Sequence, residues 1–468
     1  MRLFHPLKYL PLLALALFTP KAWAQKISDA QKLYGLSTFW KEASYNFAFF
    51  DKVPTLNWDS TYQAFIPQVL ATKTDYEYYR TLQRFCALLK DGHTNVYFPS
   101  NLPSGQDFPA VQIQPFGKQP LIVNIDKALE KTVPLGSEIV AVDGVDVQTY
   151  AQKEVIPYIS SSTEHVLWDT ALRRLLLGPQ NSVVQLQIKT PKGQLKTVSV
   201  TRGKAASAWA KPLEQNQQQP LLEFKWLQDG MAYVSLNSFS DPKIVDEFKA
   251  KLPELRKAKG LMIDIRKNSG GNSGYAAELV KYLTDAPVLY GSAWRTRQHR
   301  AAYKAWGTYA ARQRTEAEKN PFYKEALDIY DGKSWFLGDT MKIENNITEP
   351  KLTLPVVVLT SYVTASAAED FLIYLDYLHR ATQVGQKTFG STGQPLPLDL
   401  PGGGSARICT KRDTYPDGRE FVGYGVIPEV EVNPTVEAYL KGKDEVLTKG
   451  IAVLKEKMKT DGKGTASR

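Results

Sequence analysis

Two stretches in which an apolar strand runs into a tight turn and then a helix constrain this 468-residue chain more than any other feature of it. The first spans Pro355 to Gly393. Val356, Val357, Val358 and Leu359 form a β-branched run between Pro355 and Thr360, the pattern of a strand covered on both faces. Small residues Thr364 to Ala368 follow, and then Phe371, Leu372, Leu375 and Leu378 at helical spacing. Ser366 is thereby expected between strand end and helix start. A hydroxyl there lies beside unpaired backbone N–H groups and the positive end of the helix dipole, where an oxyanion is stabilised. Taken alone, such a serine reads equally as an N-cap or a small packing residue, and that reading is the commoner one.

The second stretch, Gly260 to Asn272, repeats the architecture and ends in paired glycines. Gly270 and Gly271 can take φ > 0 and bring backbone N–H groups close to a reacting atom. Four segments in order, DIRKNSGG, TASAAEDF, VGQKTFGSTG and PDGREFVGYGVIPEVEV, resemble the C-terminal processing (tail-specific) peptidase family, which includes the tricorn core peptidase. They span roughly Gly260 to Val432, with weaker similarity back to about Asn57.

Composition agrees with globular units, since 43% hydrophobic and 11% aromatic residues argue for ordinary cores and against disorder. Residues 1–24 read as a secretory signal peptide: Arg2 and Lys8, an apolar run Leu10–Phe18, and Ala22-Trp-Ala24 before Gln25. The expectation is an exported protein, periplasmic or extracellular, with no stable membrane insertion and, lacking a cysteine after the cleavage site, no lipid anchor. Of the net charge of +10, Arg2, Lys8 and Lys21 belong to the leader, leaving a mild +7. The basic segment Arg295–Arg314 reads as a solvated helix face or as a patch for acidic substrates. No nucleic-acid motif is present. Cys86 and Cys409 either pair in an oxidising compartment or remain buried thiols.

Along the chain, residues 25–103 are expected to form a helical domain, with Ser28 as a cap and helices over Trp58–Leu70 and Tyr76–Leu89. The last helix is expected to end on Gly92 as a C-cap just before His93. Residues 104–205 read as short strands with one helix near Val166–Leu177 and a hairpin at Pro191-Lys-Gly193. PLGSEIVAVDGVDVQTY resembles the later half of a PDZ domain, a fold that captures chain ends by strand addition. The glycine-rich carboxylate loop is not evident near Phe108–Phe116, so a peptide-binding role and a spacer or lid role both stay open. A linker is expected over 206–220 and the catalytic domain over 221–468, with an aromatic and charged insertion at 286–351. Alternating strands and helices imply a mostly parallel sheet. The resemblance implies a multidomain α+β protein: a helical domain, a PDZ-like β domain and a ββα spiral of the ClpP and crotonase kind.

The family uses two kinds of machinery. Members with a Ser-Lys dyad place the lysine 25 positions beyond the serine, where this chain has Ser391; Lys387 precedes Thr-Phe-Gly and reads as a decoy. A serine hydroxyl cannot serve as a general base near neutrality. LLKDGHTNVYF resembles the segment that carries the catalytic histidine of tricorn-like members, so His93 is the expected base, with an ordinary pKa suited to that work. The same resemblance implies Glu420 as the group that orients the imidazole; Glu369 reads as a helix-start carboxylate. Ala367 N–H and that of Gly270 or Gly271 are expected to hold the oxyanion. No metal or organic cofactor is implied. The expected partner is a protein or peptide substrate, with the oligomeric state open. A non-catalytic PDZ-containing binding protein on the same fold and a Ser366–Lys387 dyad are the rival readings.

Overall fold

The computed structural model describes residues 26–204, 206–211 and 219–464, with side chains to 460. The expected leader lies outside the described residues, as does part of the expected linker. Among the described residues no helix is long and apolar enough to cross a membrane.

The protein is a mixed α+β multidomain chain that opens with helices Asp29–Asn46, Trp58–Ala71 and Asp75–Ala87. Each begins at a polar residue, Ser28, Asn57 or Thr74, whose side chain accepts a first-turn N–H. Their apolar faces meet in aromatic contacts: Trp58 stacks on Phe85 with centroids 4.2 Å apart, and Phe39 meets Phe85 edge-on at 5.9 Å. The helices do not close a core of their own. Phe39, Leu82 and Phe85 belong to one continuous buried cluster with Ile408, Val234, Ile263 and Val358.

Gly92 corrects an expectation. The helix ends at Ala87, and the residue that turns left-handed is Lys90 (φ 51°), not Gly92. Gly92 is small for another reason: a Cβ there would lie 2.5 Å from the Phe389 ring and 3.2 Å from Ser391 Cβ. The next strand, Asn95–Tyr97, pairs antiparallel with Gly404–Cys409, which pairs in turn with Pro395–Leu400. The segment carrying His93 is thus sewn into residues some three hundred positions away.

A second unit has its own core. Strands Val111–Phe116, Gln119–Ile125, Glu138–Val142, Val183–Lys189 and Leu195–Thr201 lie side by side in that order, all antiparallel, with helix Glu164–Arg173 against them. Val183–Lys189 alternates exposed and buried residues along its whole length, and Ile122, Ile139, Trp168, Leu172 and Leu186 fill the interior.

The third part is a six-stranded sheet in the order Leu222–Trp226, Met231–Leu236, Gly260–Asp264, Val356–Thr360, Thr382–Gly385, Val430–Glu431. Only the first strand runs antiparallel. Its middle strands are buried at every position, because helices Lys243–Leu255, Ser273–Lys281 and Ala367–Tyr377 cover one face and Glu445–Gly464 the other. The expected insertion is sewn down: strand Ala293–Arg297 pairs with both Trp335–Gly338 and Lys411–Thr414.

Gly92→Ala is expected to lower stability by about 1–3 kcal/mol, since the added methyl must displace Phe389 in a packed interior. Denaturant unfolding of the variant beside wild type checks this, and unchanged stability would contradict the close approach.

Candidate active site

Ser366 closes the turn after strand Val356–Thr360 and opens helix Ala367–Tyr377. Its backbone sits at φ 55°, ψ −124°, a region strained for any residue with a Cβ and costing about 1–3 kcal/mol. The surroundings hold it there. Ser366 N–H donates to Glu369 Oε2 (3.1 Å), and its carbonyl accepts from the N–H groups of Glu369 (2.7 Å) and Asp370 (3.1 Å). Ala368 N–H returns to Ala365 O at 3.0 Å. Ala367 N–H makes no hydrogen bond among the described residues.

Of the paired glycines, Gly270 comes directly to this serine. Gly270 (φ 101°) lies so close that a Cβ would stand 2.7 Å from Ser366 Cβ and 3.0 Å from Ala367 N. Gly271 (φ 138°) presses on Phe239, where a Cβ would overlap the Phe239 backbone. The two are not equivalent as donors. Gly270 N–H already donates to Asn268 Oδ1 (2.9 Å), while Asn268 Nδ2 donates to Leu236 O (3.0 Å). Gly271 N–H has no partner among the described residues. Of the two expected donors, Gly271 alone has its N–H unengaged among the described residues.

Glu369 is more than a helix-start carboxylate. It is fully buried, and besides Ser366 N–H it accepts from Thr388 Oγ1 and from Gly390 N–H (2.8 Å). Burial pushes its carboxyl up to about 8, against the pull of those three bonds. Thr388 Oγ1 accepts Val426 N–H at 2.6 Å, and Phe389 N–H donates to Thr364 O at 2.9 Å. One short strip, Thr388 to Ser391, is thus anchored beneath the serine.

The far end of that strip meets His93. The imidazole is 9% exposed, and its Nδ1 lies 2.7 Å from Ser391 Oγ. Ser391 Oγ in turn donates to Asp91 Oδ1 at 3.4 Å. Asp91 is buried and also accepts from Ser162 Oγ (3.1 Å), Thr94 Oγ1 (2.7 Å) and His93 N–H (3.2 Å). Burial pushes the Asp91 carboxyl above the usual range, with these donors opposing it. Burial first, and the Arg407 charge second, hold the imidazole down to about 4.

Glu420 is not part of this arrangement. Its carboxylate is bound by Lys52 Nζ (2.9 Å) and by Arg412, with Arg295 at 3.7 Å. Burial, which would raise its pKa, is outweighed by the Lys52 and Arg412 bonds, so it is lowered. It makes no bond to His93 among the described residues, because three cations on neighbouring segments take it first. Lys387 makes neither hydrogen bond nor ion pair among the described residues, and its charge acts on His165. Cys86 and Cys409 are buried free thiols, as one of the two readings had it; Cys86 donates to Thr94 O (3.4 Å) and Cys409 to Thr392 O (3.4 Å). Sequence reasoning missed Asp91 and the use of Ser391, although both stand inside quoted motifs. Neither residue type announces a role when its partner is three hundred positions away.

A strained serine at a helix start, a glycine against it and a buried imidazole bonded to the same anchored strip are the kinds of part a serine hydrolase uses. Residues 230–432 match the model of Peptidase family S41. The chain is 24% identical over 387 residues to a carboxyl-terminal-processing protease of Picosynechococcus sp. (strain ATCC 27264 / PCC 7002 / PR-6), covering 81% of this chain and 78% of that protein. It is 25% identical over 227 residues to a carboxy-terminal-processing protease of Bartonella bacilliformis (strain ATCC 35685 / KC583 / Herrer 020/F12,63), covering 47% of this chain and 43% of that one. Its fold is that of mature CPAF, with a TM-score of 0.70 at 17% identity over 93% of this chain and 98% of that one. Residues 230–432 thus carry a Peptidase family S41 domain, the chain is similar to C-terminal processing peptidases, and it is a serine-type peptidase.

Four outcomes follow from this geometry. Ser366→Gly should be more stable than Ser366→Ala by about 1 kcal/mol, because only glycine relieves the positive φ; equal unfolding midpoints would contradict the strain. Glu369→Gln turns an acceptor into a donor against buried donors, at about 1–3 kcal/mol for each N–H left unpaired, so peptidase activity should collapse in a protein that still folds. The acid limb of kcat/KM should lie near pH 4, well below the 6.5 of a free imidazole. The same depression makes the His93 contribution to stability complete above about pH 6.5 and lost as the pH falls towards 4, since the unfolded chain binds the proton first.

Proposed function

We propose that this is an exported serine endopeptidase that cleaves protein or peptide substrates through an acyl-enzyme on Ser366. His93 takes the Ser366 proton at Nε2 and passes it to the leaving amine. Its Nδ1–H is held by Ser391 Oγ, which donates to Asp91, so the acid behind the histidine is Asp91 acting through a hydroxyl and not Glu420. The observation that carries this reading is the 2.7 Å contact of His93 Nδ1 with Ser391 Oγ, on the strip whose other end shares Glu369 with Ser366 N–H. Nδ1 bound in this way leaves Nε2 as the basic nitrogen. Ala367 N–H and Gly271 N–H receive the oxyanion, and loss of one such donor costs about 10²–10³ in rate. Water then attacks the acyl-enzyme with His93 in the same role.

The domain reading we carry forward is a helical unit at 25–103, a PDZ-like unit at 104–205, a linker over 206–220 and a catalytic unit at 221–468 of the ClpP and crotonase kind. What supports it is the six-stranded antiparallel sheet with its one long helix, and the mostly parallel sheet whose strands lead into covering helices. Export rests on the leader pattern at 1–24.

A fluorophosphonate probe on purified protein, with hydrolysis of an unfolded protein followed alongside, tests the assignment. Labelling and hydrolysis should vanish in Ser366→Ala and His93→Ala and survive in Lys387→Ala. Ser391→Ala should cut kcat by about 10²-fold or more and shift the acid limb of its pH profile, as loss of an orienting partner does, whereas Glu420→Gln should leave that limb in place. A Lys387→Ala protein as inert as Ser366→Ala would replace this mechanism with a Ser-Lys dyad.

A further inference from the structure

A cavity of about 510 Å³ lies between the loop after the first helix and the sewn-down insertion, lined by Phe47, Phe50, Arg295, Arg297, Trp335 and Arg412, with Asp51, Asp331 and Lys333 at its edge. Its charge pattern is unusual. Arg295 and Arg412 are directly opposed across antiparallel strands, and Arg297 is two positions along from Arg295 on the same face. Like charges placed opposite one another destabilise a sheet.

The nearby carboxylates do not neutralise this group. Asp51 binds Arg412 (2.7 Å), Glu420 binds Arg412 and Lys52, and Asp331 is held bidentately by Arg314 (2.8 and 2.9 Å) with Lys333 at 3.5 Å. Arg295 is left with no hydrogen bond among the described residues, only Glu420 at 3.7 Å and the face of Trp335 at 5.1 Å, and its Nε is buried without a partner. Arg297 uses one N–H on Ser44 O and otherwise lies over the Phe50 ring at 5.5 Å. Burial, and for Arg295 the neighbouring Arg412, push both guanidiniums below their usual pKa.

We propose that this cavity is an exosite that binds a carboxylate of the polypeptide substrate, with Arg295 and Arg297 as the fork that receives it. A guanidinium matches a carboxylate through paired N–H donors. The volume and the walls of Phe47, Phe50 and Trp335 suit a carboxylate flanked by an apolar residue better than a bare ion. The strand carrying Arg412 also carries Asp413, which accepts from Thr392 Oγ1 (2.6 Å) next to Ser391, so the exosite is one strand away from the His93 support. The basic segment at 295–314 therefore has two fates. Arg300 and Arg314 are neutralised by Glu325 and Asp331, while Arg295 and Arg297 face the cavity. The substrate class rests on the peptidase reading; the binding does not require turnover.

Full-length Ser366→Ala protein, which cannot consume the ligand, is titrated against fluorescein-labelled, C-amidated octapeptides carrying Glu-Phe-Glu or Gln-Phe-Gln, and against the Gln peptide with a free C-terminus. The Glu peptide should bind at least about tenfold more tightly than its amidated Gln counterpart, and the preference should weaken on raising NaCl from about 50 to 300 mM. Tight binding of the free-terminus peptide would identify a terminal carboxylate as the source; tight binding of the Glu peptide alone would identify side chains. Arg295→Gln should abolish the preference without loss of thermal stability, since Arg295 makes no hydrogen bond to lose. Arg297→Gln should reduce it, and Lys118→Gln, in the separate cavity beside Trp168, should leave it intact. Equal affinity for the Glu and amidated Gln peptides, a preference that persists in both arginine variants, or displacement by inorganic phosphate below the peptide concentration would each overturn the proposal. Failure of fluorophosphonate labelling in the wild type would instead remove the peptidase mechanism and leave the binding result standing.

Discussion

The buried carboxylate of Glu369 is the joint on which the site depends. It accepts at once from the strained backbone of Ser366 and from Thr388 and Gly390 on the neighbouring strip. Because Glu369 is fully buried, loss of any one of these partners leaves a polar group unpaired in the interior, which makes such a node costly to disturb. Because the strip runs on to Ser391, the same node indirectly sets where His93 stands. The strain at Ser366 is tolerable because surrounding bonds over-determine it, which is the condition under which unfavourable backbone geometry persists at functional sites.

The second dependence is between distant parts of the chain. His93 follows the third N-terminal helix, and its strand is paired with Gly404–Cys409, while Asp91 is also held by Ser162 from the antiparallel-sheet unit. All three parts of the protein therefore contribute to the histidine. His165 reinforces the link by donating Nε2–H to Thr388 O at 2.7 Å, and Thr163 Oγ1 donates to Phe389 O at 3.1 Å. The N-terminal helices cannot be regarded as an accessory when their aromatic core is continuous with that of the main sheet.

Much of this was legible from residue pattern. The buried strand at Val356–Thr360, the serine at the following helix start, the glycine pair and the cap at Ser28 all lie in local sequence, where period and residue type carry direct physical meaning. Two readings failed in an instructive way. Gly92 looked like a helix cap, yet its size is demanded by Phe389. Glu420 looked like a histidine partner, yet Lys52 and Arg412 hold it. In both cases the deciding atoms come from elsewhere in the chain.

By itself, then, the sequence determined which strands are buried, that Ser366 stands at the junction of strand and helix and what backbone freedom the glycines supply, because these follow from side-chain volume, β-branching and dihedral sterics over a few residues. Only the tertiary structure decided which carboxylate stands behind Ser391 and His93, that Glu369 is a buried hub, that Gly270 N–H is already engaged and that Arg295 Nε is buried without a hydrogen-bond partner among the described residues. Those outcomes depend on competition among several donors and acceptors for the same few ångströms of space. Sequence separation gives no measure of which competitor arrives closest.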